Sequence, residues 1–540
     1  MSELPTRVAT TGKRLYRYLR ECFAIDPRSL ALFRVALGSL IIADVISRSR
    51  NFSFYYTDDG VVPQELAEAS TPEHAVSVFY YTSDPTLIAV LFGLHVLFAI
   101  QLIVGYKTRL AAIISFLFVI SLDHHNPFVL SYADVLFRIM FFWAIFLPMG
   151  ERWSIDAVHR DRSPRRTFVG LASMFAMGQL VFMYFLNGLH KHQSELWRSG
   201  EAAYLVMGLD EMTFLLGDFM RHFEIPLQVG GWLWFHMLLA SPLLILLRGR
   251  KRLPLVVLFM GGHASFAITV RIGAFAFVAL AALLLFLPRE FWDDLESVLG
   301  RAGLGLGTYA TLRTRLVSGA GVVPRLSIQT PTIRQVRSVS YTATMVVIAI
   351  SIAFCAALVA PDITLLGETD IDDDYHPDER IEDHVVGTHI YTVAESLNVD
   401  QPEWSIFAGP DPRTTDRYYV FAAETEDGEL LDVFNDRELT YDRPGQQLQK
   451  QHGAYRERFY MNTIRRTGQS EHARLLADHY CETYAEHGTD LKGIAFFEIT
   501  EQVTRETVDD PDSRSRDATL RSRHLCDEGV DDIDITPPDF

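Results

Sequence analysis

The sequence predicts an all-α polytopic membrane bundle of about nine transmembrane helices carrying a C-terminal α+β soluble domain. Three observations lead there. Of 540 residues, 49% are hydrophobic while the net charge is −18, a pairing that suggests two different bodies in one chain. The charge divides the same way: residues 1–360 hold 32 Lys and Arg against 25 Asp and Glu (+7), whereas residues 361–540 hold 17 against 42 (−25). Apolar runs long enough to cross a bilayer recur through the first part and stop near residue 360.

In order, residues 1–28 are basic and lack the apolar core and cleavage site of a signal peptide, so they read as a cytoplasmic segment. Spans are expected near 30–48, 87–105, 110–123, 132–149, 168–187, 231–247, 253–270, 272–288 and 340–360. The membrane domain occupies 29–290, a Gly-, Arg- and Thr-rich cytoplasmic linker with an amphipathic piece at 290–300 fills 291–338, and the last span takes 339–361. Basic loops (Lys107/Arg109, 151–166, 248–252 and the linker) alternate with loops poor in Lys and Arg. Nine spans then put the N-terminus in the cytoplasm and the 362–540 domain outside the cell membrane. That domain begins as a disordered acidic stretch over 361–383. It continues with an extended pair around 417–434 turning at Glu426-Asp427-Gly428, a helix over 472–487, a strand over 491–504 and a disordered end from about 527.

Composition excludes several classes. No basic face suits a nucleic acid, and the dispersed acidity fits a hydrated, halophilic surface better than a single binding site. Four cysteines show neither CxxC nor zinc spacing. In an oxidising compartment Cys481 and Cys526 are placed to form a disulfide; two buried free thiols are the alternative. His190 and His192 flank Lys191, but i and i+2 do not share a helical face and no third ligand is evident, so no metal is expected.

Lys191 is the residue around which a site is expected, at the end of VFMYFLNGLHKH. It reads either as a cation snorkelling at a helix end or as a partly desolvated amine able to act as a base near neutral pH. Charges inside spans are costly, so Asp134 with Arg138 four residues on, His263 inside the seventh span, and Arg271 at the turn into the eighth are each notable. Asp134 and Arg138 are spaced to pair along one helix face, and Asp44 lies near the end of the first span. Structural partnership explains each alone. Lys191, His263, Arg271 and Asp134 together, all in the outer half of one bundle, point to an outward-opening polar cavity.

Several stretches share a pattern: DPRSLALFRVALGSLIIADV (26–45), YYTDDGVVP (55–63), FLPMGERWSID (146–156), NGLHKHQSELWRSG (187–200) and GGHASFAITVRIGAF (261–275). In order and spacing over about 26–290 they resemble the HTTM domain of the vitamin K-dependent gamma-carboxylase superfamily, prokaryotic and of haloarchaeal type. The resemblance implies that Lys191, in the pattern Gly188-Leu-His-Lys191 followed by Trp197 and Gly200, is the base for a reduced quinone, and that His263 matches the family's late-span histidine. Gly188 and Trp197 of that pattern, with Asp134 and Arg271 of the polar cavity, are the expected quinone-binding residues. The implied cofactor is a reduced quinone of vitamin K or menaquinol type arriving from the membrane lipid. Oxygen and carbon dioxide would be co-substrates, and an extracytoplasmic protein would be the acceptor of a lyase-type carboxylation.

Three departures accompany the resemblance. The carboxylase's quinone-side histidine falls at Ala133, beside Asp134. Its large lumenal docking region is absent, replaced by a tail with WSIFAGPDPRTTDRYYVF (404–421) like the compact domain that follows HTTM regions in many prokaryotic proteins. A fused CxxC redox module is also absent. Two functions therefore stand side by side: a quinol-dependent oxygenase or carboxylase, and a non-enzymatic membrane protein that binds a quinone or lipid. A transporter is a weaker third, since the sequence shows no inverted repeat.

Overall fold

The apolar runs fold into helices whose ends are set by local capping chemistry. The computed structural model describes residues 3–161, 163–302, 317–325, 331–363, 381, 384–402, 404–406, 411–527 and 532–540. Its principal helices are α1 (Glu3–Cys22), α2 (Pro27–Ser49), α3 (Pro85–Val104), α4 (Thr108–His125), α5 (Tyr132–Phe146), α6 (Leu171–Gln193), α7 (Glu224–Leu239), α8 (Leu253–Thr269), α9 (Phe275–Leu283), α10 (Arg289–Arg301) and α11 (Pro331–Ile363). The C-terminal part adds α12 (Val385–Ser396), α13 (Tyr455–Thr467) and α14 (Glu471–Glu486).

Asp26 and Asp84 cap α2 and α3, each with a proline at the first helical position, where the missing N–H costs nothing. α3 stops at Gly105, whose φ of +68° and contact with Arg34 leave no room for a Cβ. Arg34 itself is fully buried and donates to the carbonyls of Met149, Arg152, Ile103 and Trp153, satisfying the end of α3 and tying it to the loop after α5.

Helices form at all nine expected runs. Among the described residues six helices are long and apolar enough to cross a membrane, or seven if the bent pair α9 and α10 counts as one span. The shorter ones are α5 with 15 residues, α7 with 16 and α9 with nine, against the roughly 20 a perpendicular span needs. α10 turns 96° from the helix before it, and is the amphipathic piece expected at 290–300. α11 begins eight residues before the expected 339, and only 6% of its apolar window is buried, so its surface suits lipid.

The acidic domain is built on one antiparallel sheet, order β3-β2-β1-β4-β5, from β1 (Thr415–Thr425), β2 (Leu430–Asp432), β3 (Arg437–Glu438), β4 (Leu491–Gln502) and β5 (Arg516–Leu525). The expected turn holds, with Gly428 at φ +82° and Ala422 opposite Asp432. α14 and β4 are the helix and strand expected at 472–487 and 491–504, whereas α12, α13 and β5 were not foreseen. Cys481 of α14 and Cys526 after β5 form a disulfide. The end of the chain departs from expectation: Ile533 and Ile535 are 3% and 4% exposed and pack with Tyr418, Phe497 and Ile499 on the sheet. The acidic run expected to be disordered over 361–383 lies almost wholly outside the described residues, as does most of the linker over 303–330.

Buried ion pairs dock the domain on the bundle. Arg456 of α13 reaches the carboxylates of Asp44 and Asp134, the latter at 2.8 Å, and the Val129 carbonyl at 3.0 Å. In the 209–213 loop, Glu211 meets Arg458 at 2.8 Å and also pairs with Arg413, while Asp210 meets Arg443 at 2.8 Å and Arg514 at 3.0 Å.

Candidate functional site

The buried face of α6 carries Tyr184, Asn187, Gly188 and Lys191, spaced three, four and seven residues apart and therefore stacked along one stripe. Gly188 lets α7 approach: a Cβ there would lie 3.0 Å from the Leu239 nitrogen and 3.1 Å from the Leu238 carbonyl carbon. Gly188 is thus a packing position against α7. After α6, Ser194 caps the short helix Glu195–Ser199 and so sets Trp197 beneath Lys191. That helix ends at Gly200, with φ +86° and a would-be Cβ 2.2 Å from the Gln228 carbonyl oxygen, so glycine is required there.

Lys191 is 2% exposed. Its Nζ donates to the Ile406 carbonyl at 2.6 Å and sits 4.1 Å from the centre of the Trp197 ring. A carbonyl oxygen and an indole face are contacts an ammonium group makes well. Among the described residues no carboxylate pairs with it. Asn187 Nδ2 donates to the carbonyls of Trp404 and Ile406 at 2.8 and 3.0 Å, so two neighbouring donors of α6 address one short piece of main chain.

Two turns back, roughly 10 Å along the helix axis, the Tyr184 hydroxyl and His263 Nε2 are 2.7 Å apart. His263 is 1% exposed, and its Nδ1 is buried without a hydrogen-bond partner among the described residues. Trp234, Phe266 and Phe275 surround the imidazole. Lys191 lies on the α6 stripe and His263 on α8, which meets that stripe through Tyr184. Tyr184, which links them, was missed in the sequence although it lies on the Lys191 face at i−7.

The expected polar cavity is divided among separate partners. Asp134 does not pair with Arg138. It is the third residue of α5 and turns back to Ser131, accepting from its N and Oγ at 2.8 Å each, while Arg456 occupies its other oxygen. Arg138 instead meets Asp123 at 2.8 Å and the Asn398 carbonyl at 2.7 Å, and Arg48 bridges Asp123 at 2.6 Å and Asp44 at 2.8 Å. Arg271 donates to the carbonyls of Gln449 and His452 and so serves docking of the acidic domain. His124 and His125 bond the carbonyls of Val76 and Tyr56 and join no site with Lys191.

The docking loop is electrostatically polarised. Burial pushes the Glu211 carboxyl up, but the guanidinium groups of Arg413, Arg458 and Arg417 outweigh it and hold the group well below the usual range. Burial and the neighbouring Asp210 carboxylate raise Asp416 to about 6, although it accepts from the backbone N–H groups of Asp210 and Glu211 at 2.8 and 3.1 Å. Among the described residues there is no cluster of three or more His, Cys, Asp or Glu able to hold a metal ion.

Apolar helices of membrane-crossing length, a lysine buried among them and an acidic sheet domain docked by ion pairs define the class, a helical membrane protein. The HTTM domain matches residues 23–292, half of the chain, and the chain belongs to that family, within the superfamily related to vitamin K-dependent gamma-carboxylase. No curated protein and no solved structure matches it.

Proposed function

We propose that the chain is a multi-pass cell-membrane protein that binds a reduced quinone along the α6 stripe and uses Lys191 as the base toward it, with His263 positioned by Tyr184. The observation carrying this reading is the Lys191 amine, 2% exposed in the family-matched region with a carbonyl and an indole face as its contacts. The residues fit such a ligand. The stripe is walled by Trp197, Trp234 and Phe275, its Lys191 end offers an exchangeable donor, and its His263 end offers an Nδ1 without a partner among the described residues. When bound, a reduced quinone supplies an acidic ring hydroxyl and, with oxygen and carbon dioxide as co-substrates, the reactivity for epoxidation and carboxylation.

The chain's own part is to bind, to exclude water and to move a proton. Lys191 Nζ in its neutral form takes the hydroxyl proton, and Trp197 holds the resulting ammonium over its face. Asp134, Gly188 and Arg271 serve this reading indirectly, through helix packing and docking. In the proposed topology nine spans place the N-terminus in the cytoplasm and the acidic domain outside, where a protein acceptor would be met. An external protease on intact cells is then expected to cut within 365–383 and to spare 305–330; equal protection of both would overturn the topology.

A second reading is favoured by one specific observation: Ile406 already satisfies the Lys191 amine, as suits a non-enzymatic quinone- or lipid-binding protein. Purified protein given menaquinol and oxygen separates the two. Epoxide formation supports the enzyme; stoichiometric retention of menaquinol without product supports the binder; neither binding nor product would overturn both.

A further inference from the structure

We infer that the Lys191 site is bipartite: a strap of residues 398–402 and 404–406, beyond the family-matched 23–292, completes it, and the strap's Ile406 carbonyl must give way before a ligand can reach the amine. The inference takes its functional meaning from the Lys191 reading above, but its geometry stands without it.

Five anchors fasten the strap to α5 and α6. Arg138 Nε donates to the Asn398 carbonyl at 2.7 Å. Gln179 and Gln401 exchange amide hydrogen bonds at 2.8 and 3.0 Å. The Trp404 indole stacks on Tyr132 with ring centres 5.9 Å apart, and the Tyr132 hydroxyl lies 3.2 Å from Ser405 Oγ. Asn187 and Lys191 then take the carbonyls of Trp404 and Ile406. On the strap, the groups that Asn187 and Lys191 hold are main-chain carbonyls, so the strap's path rather than the Ile406 side chain meets the amine.

That path is held in an uncommon backbone conformation. Trp404 has φ +55°, a left-handed value unusual for a bulky side chain, and is nonetheless fully buried, whereas Asn398 at φ +52° is of a residue type that adopts this region readily. Packing of the indole against Tyr132 therefore holds a turn that the backbone alone disfavours, and loss of that packing releases the turn. A ligand hydroxyl entering beside Trp197 would replace the Ile406 oxygen as the partner of Nζ, one hydrogen bond for another. Asn187 is a positioning residue in this scheme: it fixes the strap's two carbonyls and so where the amine points.

The test needs no quinone chemistry. The chain contains six lysines, and Lys13 and Lys450 are exposed references for Lys191 in the same molecule. Full-length protein in nanodiscs is treated with a water-soluble amine-methylating reagent, and modification of each lysine is followed by peptide mass spectrometry. In wild type Lys191 is expected to react far more slowly than Lys13 and Lys450. Trp404→Ala is expected to speed its modification about tenfold or more by local opening, leaving the reference lysines unchanged. Lys191 reacting as fast as Lys13 in wild type, or unchanged protection in Trp404→Ala, would overturn the strap.

Should Trp404→Ala fail to fold, the double variant Gln179→Cys/Gln401→Cys gives a second test, since a short bifunctional thiol crosslinker can span the place of the two glutamine side chains and lock the strap. The crosslinked form is expected to bind menaquinol at least about tenfold more weakly than the uncrosslinked form. Equal binding by both forms would overturn the inference. No menaquinol binding by wild type would instead defeat the functional reading, and the methylation result would still decide the strap.

Discussion

A single hydrogen-bond acceptor, the Ile406 carbonyl, distinguishes Lys191 from a snorkelling cation: the ammonium does not reach solvent but ends inside the chain. That Lys191 ends a helix, with Trp197 and Gly200 just beyond it, was legible in the sequence because helix ends, glycines and aromatic residues leave local marks. The sequence could not place the partners. Ile406 lies 215 residues from Lys191, and Arg456 lies 322 from Asp134, separations that periodicity does not span. Asp134 shows the same limit in miniature: four-residue spacing permits a pair with Arg138, but the cap at Ser131 competes for the carboxylate and wins. Gly188 belongs to this scale as well. Gly188→Ala would force its Cβ against the main chain of α7, and is expected to destabilise the protein by roughly 1–3 kcal/mol, read as a lowered Tm in nanodiscs. An unchanged Tm would show that α7 yields easily.

At the scale of elements, the docking of α13 and the sheet on the bundle depends on charge rather than apolar area alone. Helix α13 went unforeseen because its polar composition carries a weak apolar stripe; its Arg456 and Arg458 find their carboxylates only when two distant parts of the chain meet. Glu211 makes this contact titratable. Its folded value lies below its ordinary 4.5, so its stabilisation is complete above pH 4.5 and is lost as the pH falls through the folded value. Asp416, raised from 3.8 to about 6, has the opposite sign and loses its contribution as the pH rises through that window. Comparison with Glu211→Gln separates them. The variant leaves Arg413, Arg417 and Arg458 short of a buried partner and is expected to cost about 3–5 kcal/mol of docking at pH 7, with a flatter acid limb. Protease release of the acidic domain measures both, and a variant matching wild type at every pH would refute the role of Glu211.

For the whole molecule, composition foretold the division into apolar bundle and acidic domain, since both follow from sums along the chain. The number of crossings was less legible, because α5, α7 and α9 are apolar but short, and hydropathy does not tell a tilted span from a buried one. The charge of −25 over residues 361–540 has a consequence for the assembled protein. Self-repulsion is screened within about 3 Å at 1 M salt but reaches about 30 Å at 0.01 M, so the thermal transition of the acidic domain in the intact protein is expected to rise with salt. A transition indifferent to salt would mean that the internal arginine pairs already neutralise the fold.

The most direct measurement of the central claim is menaquinol turnover by Lys191→Arg beside wild type, with menaquinol binding and Tm recorded on the same samples. Arginine keeps the positive charge and much of the reach but does not give up its proton at accessible pH. If Lys191 is the base, Lys191→Arg retains its Tm and binds menaquinol while turnover falls by about 10²-fold or more. Turnover equal to wild type in Lys191→Arg would contradict the account and return the residue to the role of a buried anchor.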